Sequence, residues 1–394
     1  MDVLDLARLQ FGVTAGLHFL FVVLTLGLAP VVAVMNTRWV RTGDPLQERM
    51  TRFWGQIYIV NYALGIVTGL VMEFQFGLSW SGLTHYAGDV FGAPLAVETM
   101  VAFFLESTFL GLWIFGWHRL PRRAHLACIW IVTLTAYASA FWIMVANSFL
   151  QNPAGAAVTG DRLALTDAGA LLTNKALVFS FPHVVGAGLT TGAFVVIGAS
   201  AYRLWRHPGE DRELFTRSLR TGVVLAVHGV PIAVAFGFAQ FATVPEGKFD
   251  GAAASTGLGV MILIGEALLM ATLLFLLPLI KVLPHWRWTH PLLMALTPLP
   301  FAAAILGWIA REMGRYPWMI RDRLTVADAL SPGLTPGMIT ASLAGFTTVL
   351  TLLAVIDYAL IAKIVRRGAA APALGAPPEP DEPPAGRPAL TLGR

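Results

Sequence analysis

Eight ionisable side chains sit inside long apolar stretches of this sequence: His18, Glu98, Glu106, His183, His228, Glu266, Glu312 and Asp357, with Glu73 near the end of another. A charge at membrane depth is costly, so each is a functional candidate first. His18 lies in Gly16-Leu17-His18-Phe19-Leu20-Phe21, and His183 in Phe179-Ser180-Phe181-Pro182-His183. Neutral imidazole among aromatic and apolar neighbours suits axial ligation of a haem iron. It suits equally a buried hydrogen bond to a backbone carbonyl. A carboxylate-bridged metal pair would need Glu-x-x-His motifs on facing helices, and the sequence has none.

Glu98 and Glu106 share one apolar run, eight residues apart. On a regular helix that is roughly 12 Å of rise, with both carboxyls in one quadrant. The pair fits a ligand plus a step in a proton path, or solvation by a watery seam. Trp308, Glu312 and Arg315 recur at i, i+4 and i+7, on one helix face. Arg315 fits a plain ion pair with Glu312, or a hold on an anionic group such as a haem propionate. Tyr316-Pro317-Trp318 follows, and the proline should end that helix. Met261, in Gly257-Leu258-Gly259-Val260-Met261, is a legitimate axial ligand opposite a histidine, though a lone apolar methionine is more often core packing.

The elements that must carry these residues are membrane spans. Of 394 residues, 56% are hydrophobic and only 13% charged, and the mean hydropathy is +0.68. That excludes a soluble globular enzyme, a disordered chain and a fibrous repeat. Nine apolar runs are long enough to span a bilayer, at about 9–36, 54–74, 95–117, 124–149, 177–204, 219–243, 256–283, 290–312 and 338–365. They are continuous rather than alternating, which predicts an all-α polytopic protein and not a β-barrel. The first run is too long, and lacks the basic start and cleavage site, for a cleaved signal peptide. The lone Cys128 excludes a disulfide framework, a four-cysteine iron–sulfur cluster and a covalent c-type haem.

Arginine and lysine set the orientation. Loops after the odd-numbered spans hold Arg38, Arg41, Arg49, Arg52, Arg119, Arg122, Arg123, Arg203, Arg206, Arg212, Arg217, Arg220, Lys281, Arg287, Lys363, Arg366 and Arg367; the tail adds Arg387 and Arg394. The other side holds Arg8, Arg162, Lys175, Lys248, Arg311, Arg315, Arg321 and Arg323. The bias predicts an N-terminus outside and a C-terminus in the cytoplasm. Half of the outer cations crowd into 311–323, a local violation that suggests another purpose. The net charge of +4 therefore speaks of orientation and not of a nucleic-acid partner. Residues 1–367 form one transmembrane domain, and the proline- and alanine-rich 368–394 reads as a disordered cytoplasmic tail.

Over roughly 1–367 the chain resembles subunit I of cytochrome bd oxygen reductases. The matching segments are Asp5-Leu6-Ala7-Arg8-Leu9-Gln10-Phe11 with His18-Phe19-Leu20-Phe21; Met72-Glu73-Phe74-Gln75-Phe76-Gly77; Phe91-Gly92-Ala93-Pro94-Leu95-Ala96-Val97-Glu98; Phe103-Phe104-Leu105-Glu106-Ser107-Thr108; Trp142-Ile143-Met144-Val145-Ala146-Asn147 with Gln151-Asn152-Pro153; and Gly314-Arg315-Tyr316-Pro317-Trp318. The resemblance implies two b-type haems, one low-spin and one high-spin, and a third haem of d type, or b type in its place. By it, His183 and Met261 match the axial pair of the low-spin haem. His18, Glu98 and Glu312 match the residues around the other two irons, without a choice of which holds which. Glu106 and Ser139 match a proton path from the cytoplasm, and Trp308 and Arg315 match residues packed against the haems. It also implies a bacterial inner (plasma) membrane protein with a subunit II-like partner, reducing O2 to water with electrons from quinol. A small accessory membrane subunit is compatible with it.

The sequence departs from that pattern in ways that bear on the electron donor. Quinol oxidases of the family carry a long hydrophilic loop between spans six and seven, whereas here the segment is only about 244–256. Glu246 and Lys248 are its only candidates for the family's loop Glu and Lys, and neither is a secure counterpart. Gly259 stands where the family has an arginine, and Tyr316 where it has a glutamine. His228 and Glu266 flank the short loop and suggest a replacement pair, with a kink at Pro231. Three functions compete with the quinol oxidase. One is an oxygen reductase fed by an unidentified donor, and another a haem-bearing sensor or electron-transfer scaffold. The third is a proton-coupled transporter, disfavoured because paired repeats and broken helices are not evident.

Overall fold

A computed structural model describes residues 2–370 and 374–375, without the side chains of Val101 and Ala102. Among the described residues nine helices are long and apolar enough to cross a membrane. They are α1 (Val3–Thr42), α2 (Pro45–Ser79), α3 (Ser81–Phe115), α4 (Arg122–Gln151), α5 (Lys175–Arg206), α6 (Arg212–Thr243), α7 (Ala252–Leu276), α8 (Arg287–Met313) and α9 (Pro336–Arg367). Each predicted run falls on one of these helices, with 95–117 and 256–283 running past the ends of α3 and α7, and every helix but α7 is longer than predicted. Polar side chains close the ends. Asp2 accepts from the Asp5 amide at 2.8 Å and Asp44 from Leu46 at 2.9 Å; Asn174 accepts from Ala176 at 3.0 Å and Thr335 from Met338 at 3.3 Å. Each satisfies an amide that the helix cannot. Gly43, at φ 68°, takes the left-handed turn that ends α1.

Two antiparallel hairpins sit on the face predicted to be outside. β1 (Ala156–Thr159) pairs with β2 (Arg162–Leu165), and β3 (Trp318–Ile320) with β4 (Leu324–Thr325). With Trp80, Leu83, Phe149 and Ile339, the buried Leu163 and Ile320 form a small outer core.

The main core lies between α1, α2, α5 and α6, around Leu24, Leu28, Trp54, Tyr58, Phe194 and Phe215. Small residues let these backbones touch, as membrane helices require when lipid is as apolar as leucine. A Cβ on Gly27 of α1 would lie 2.3 Å from the Gly188 carbonyl of α5, and one on Gly186 would lie 2.4 Å from the Ala233 amide of α6. By contrast α7, α8 and α9 leave much apolar surface exposed, including Leu263, Leu274, Leu352 and Val355.

Two expectations are corrected. The run holding Glu98 and Glu106 is not a regular helix, since α3 contains π-helical turns at Gly88–Gly92 and Glu98–Phe103. π turns widen the helix and re-aim side chains, so the same-quadrant argument fails. Pro231 lies inside α6, which continues past it. The segment after α9 does not leave the protein at 368. Ala369 and Leu374 are buried, and the Ala369 amide donates to Asp211 at 3.0 Å. The rest of the predicted disordered tail, 371–373 and 376–394, lies outside the described residues.

Candidate functional site

A cavity of about 580 Å³ opens among the helices, and its walls are overwhelmingly apolar. His18, Glu98, Glu106, Ser139, His183, Met261, Trp308, Glu312 and Arg315 all line it. Residues spread over 298 positions of sequence thus converge on one space. Among the described residues no three His, Cys, Asp or Glu side chains cluster as a metal cage would require. The candidate ligands stand apart, as separate irons held in separate macrocycles would need.

Both histidines are oriented by their Nδ1 atoms. The Thr68 hydroxyl donates to the Gly65 carbonyl at 2.8 Å, so its oxygen accepts from His18 Nδ1, also at 2.8 Å. His183 Nδ1 lies 2.7 Å from the Ala233 carbonyl, which can only accept. In both rings Nδ1 therefore carries the proton. Nε2 keeps its lone pair and, without a protein partner, is free for the cavity. That is how a metal-ligating imidazole is held by its second contact. Two glycines make room beside the ligands. A Cβ at Gly237 would sit 3.1 Å from His183 Nδ1, and one at Gly307 would sit 2.5 Å from Met261 Sδ.

The carboxyls are engaged by Ser139, which the resemblance names, and by Tyr62 and Thr99, which sequence reasoning does not. Tyr62 donates its hydroxyl to Glu106, and Ser139 donates to Glu98. Ser139 thus belongs with Glu98 in this structure, and Tyr62 is the residue that touches Glu106. Thr99 donates to Glu73 at 2.5 Å and lies 3.5 Å from Glu98, linking those two acids. Glu312 is bound by Arg315 through one oxygen, while its Oε1 is buried without a partner. Trp308 stacks on Phe19 and leans on Phe11, with its indole N–H buried and unpartnered. Orphaned polar atoms of this kind fit a cavity that accepts a ligand.

His228 and Glu266 do not form the expected pair. His228 Nδ1 turns to the Val224 carbonyl of its own helix at 2.8 Å and its side chain is exposed outside the cavity wall, whereas Glu266, also exposed, lines the cavity. A surface imidazole at this depth satisfies itself on the nearest carbonyl. Asp357 is fully buried in α9 with both oxygens unpartnered, outside the cavity wall.

Lys248 was the weakest candidate from sequence, and the structure places it firmly. Its ammonium donates to Gln151 Oε1 at 2.6 Å, and it lines the cavity. Burial, then the charges of Arg311 and Arg315, push it down to about 7.

Comparison with known proteins identifies the family and the fold. The family model "Cytochrome bd terminal oxidase subunit I" matches residues 6–257 and 252–369. Cytochrome bd ubiquinol oxidase subunit 1 of Bacillus subtilis (strain 168) is 34% identical over 445 aligned positions, 94% of this chain and 95% of that protein. Cytochrome bd-II ubiquinol oxidase subunit 1 of Escherichia coli (strain K12) is 48% identical over 57% of this chain and 43% of its own length. The solved structure of bd oxidase from Geobacillus thermodenitrificans superposes with a TM-score of 0.83 at 22% identity, over 93% of this chain and 99% of that one, and so shares the fold.

Proposed function

The chain belongs to the cytochrome bd terminal oxidase subunit I family, and from that premise we propose that it is the catalytic, haem-bearing subunit of an oxygen reductase. It is an oxidoreductase and a multi-pass protein of the bacterial inner membrane. The observation that carries the detailed reading is the pair of imidazoles whose Nδ1 protons are committed, leaving both Nε2 atoms to one greasy cavity. His183 and Met261 would hold a low-spin haem b. His18, Glu98 and Glu312 would hold a high-spin haem b and a haem d, or a further haem b. Haem irons, when bound there, supply one-electron transfer and a site at which oxygen is reduced.

The protein's own part is positioning and proton supply. Arg315 fixes one Glu312 oxygen and leaves the other facing the cavity. Trp308 and its aromatic partners exclude water from that wall. Glu106, reached by the Tyr62 hydroxyl, would take protons from the cytoplasm and pass them toward Glu98, whose partner is Ser139. Hydroxyls and carboxyls both donate and accept, so this route can relay. Electrons from the outer side meeting protons from the inner side would build a membrane potential without pumping. A subunit II-like membrane protein completes the assembly in this reading.

Two donors fit. Quinol is named for the Bacillus subtilis and Escherichia coli relatives. A non-quinol donor is favoured by the short segment between α6 and α7. The two family-model segments meet at 252–257, beside that loop. The Bacillus alignment needs 445 positions where this chain supplies 94% of 394, so the relative carries residues that this chain lacks. The deciding measurement is a reduced-minus-oxidised spectrum with haem extraction on the purified complex, followed by oxygen uptake with quinol and with an artificial reductant. Uptake with both supports the quinol oxidase. Uptake with the artificial reductant alone assigns another donor. Haem without uptake from either leaves a sensor or electron-transfer scaffold. No haem overturns the reading.

A further inference from the structure

The outer wall of the cavity holds cations that the oxygen chemistry above does not use. Arg311, on α8 one turn after Gly307, projects among polar acceptors. Its Nε donates to Asn147 Oδ1 at 2.5 Å, and Nη1 lies 3.5 Å from Gln240 Oε1. Its third nitrogen, Nη2, is buried with no partner. A buried guanidinium nitrogen with no acceptor is expensive, and the cavity it lines contains His183 and Met261.

Lys248 approaches the same wall from the short loop, and its position is built in. A Cβ on Gly314 would lie 2.6 Å from the Lys248 carbonyl and 3.0 Å from its Cγ, so only glycine at the end of α8 lets the loop lie there. Gln151 holds the ammonium at 2.6 Å, and Gln151, Asn147 and Gln240 present amide oxygens that accept but bring no charge. Glu312 is the acid beside them, and Arg315 already occupies it. The wall therefore carries positive charge in excess of its acids. Gly259, two residues before Met261 and facing open space, contributes none. An unpartnered Nη2 and an excess of positive charge suit an anion with oxygen acceptors in the cavity that His183 and Met261 also line.

We propose that Arg311 and Lys248 form a carboxylate-binding pair for the acid side chains of the tetrapyrrole seated between His183 and Met261. This rests on the haem reading above. Arg311 would close its open Nη2 on one carboxylate oxygen, a charge-assisted bond that the fixed guanidinium plane favours. Lys248 would swing its ammonium from Gln151 to the same group. The pair explains why basic residues accumulate on the outer side against the orientation rule: they neutralise buried acids of a ligand. It also makes the short loop a clamp over the cofactor.

The test is a redox titration of the low-spin haem band in the purified complex, comparing wild type with Arg311→Gln, Arg311→Lys and Lys248→Gln, and with Arg162→Gln in the exposed outer hairpin. A cation beside the haem disfavours the ferric form, so its removal lowers the midpoint potential. The expected order is a large fall for R311Q with weaker haem retention on dilution, a smaller fall for R311K and for K248Q, and none for R162Q. An R311Q protein that keeps its low-spin haem at the wild-type potential overturns the proposal. So does an equal fall in R162Q, which would mark a general surface field. Should R311Q not accumulate, an unchanged potential in K248Q overturns it as well. Wild type without any low-spin haem sinks the haem reading itself, a result that no variant is needed to see.

Discussion

Two walls of one cavity solve opposite electrostatic problems. Along α2 and α3 the groups lining the cavity are acids, Glu73, Glu98 and Glu106, and their partners are the hydroxyls of Thr99, Ser139 and Tyr62. At the outer ends of α4 and α8 the buried groups are bases, Arg311 and Lys248, and their partners are the amide oxygens of Asn147, Gln240 and Gln151. A hydroxyl both gives and takes a hydrogen bond, while an amide oxygen only takes one. The first wall can therefore hand a proton along, and the second can only hold a charge still. One fold separates relay from anchorage by its choice of neutral partner, not by its choice of charge.

The largest effect should come from neither wall but from the ligand between them. His183→Ala is expected to abolish the low-spin haem band and oxygen uptake together, seen in one reduced-minus-oxidised spectrum beside an oxygen-electrode trace. Next comes the relay. Glu106→Gln should cut uptake at least about tenfold while the haem spectrum stays, since a positioned proton-transfer group is worth that or more. Tyr62→Phe should cut it less. Asn147→Leu, on the holding wall, should disturb haem spectra before turnover; a loss of uptake equal to that of Tyr62→Phe with unaltered spectra would erase the contrast drawn here. Gly307→Ala follows. The new methyl meets Met261 Sδ at 2.5 Å, and overpacking of this kind costs about 1–3 kcal/mol, read as a lower melting temperature with a weakened low-spin band. Smallest is Thr68→Val, which removes the acceptor for His18 Nδ1. It should cost about 1 kcal/mol and appear as faster haem loss in a dilution series, while His183-dependent signals stay put.

Much of this was legible in the sequence because membrane proteins write their plan in one dimension. Apolar runs of bilayer length gave every span, and ionisable residues in and beside them named the histidines and carboxylates of the cavity wall. His18, His183, Glu98 and Glu312 needed only to be rare and misplaced to be noticed. Their partners were invisible for the opposite reason. Tyr62, Thr68 and Gly237 are ordinary residues whose meaning depends on which helix lies opposite, and that is set by backbone contacts such as Gly27 against Gly188. The π turn at Glu98–Phe103 has no composition that distinguishes it from an α-helix. His228 and Glu266 misled because proximity to one loop was taken for proximity to one another. Lys248 and the 311–323 cluster were legible only as an anomaly of charge counting; the outer wall gave them a place.

The packed segment after α9 bears on how the protein is made. Ala369 closes on Asp211, which also receives Arg49, Leu374 lies against Gly55 as Trp113 does, and Gly375 meets Trp117. Gly55 emerges from the ribosome long before Leu374 does. During insertion, then, the first spans sit in the bilayer with their cytoplasmic rim unlatched, and the rim closes only after the ninth span has been threaded. The chain thus carries a completion mark: among the described residues, a contact that locks the earliest helices is synthesised last.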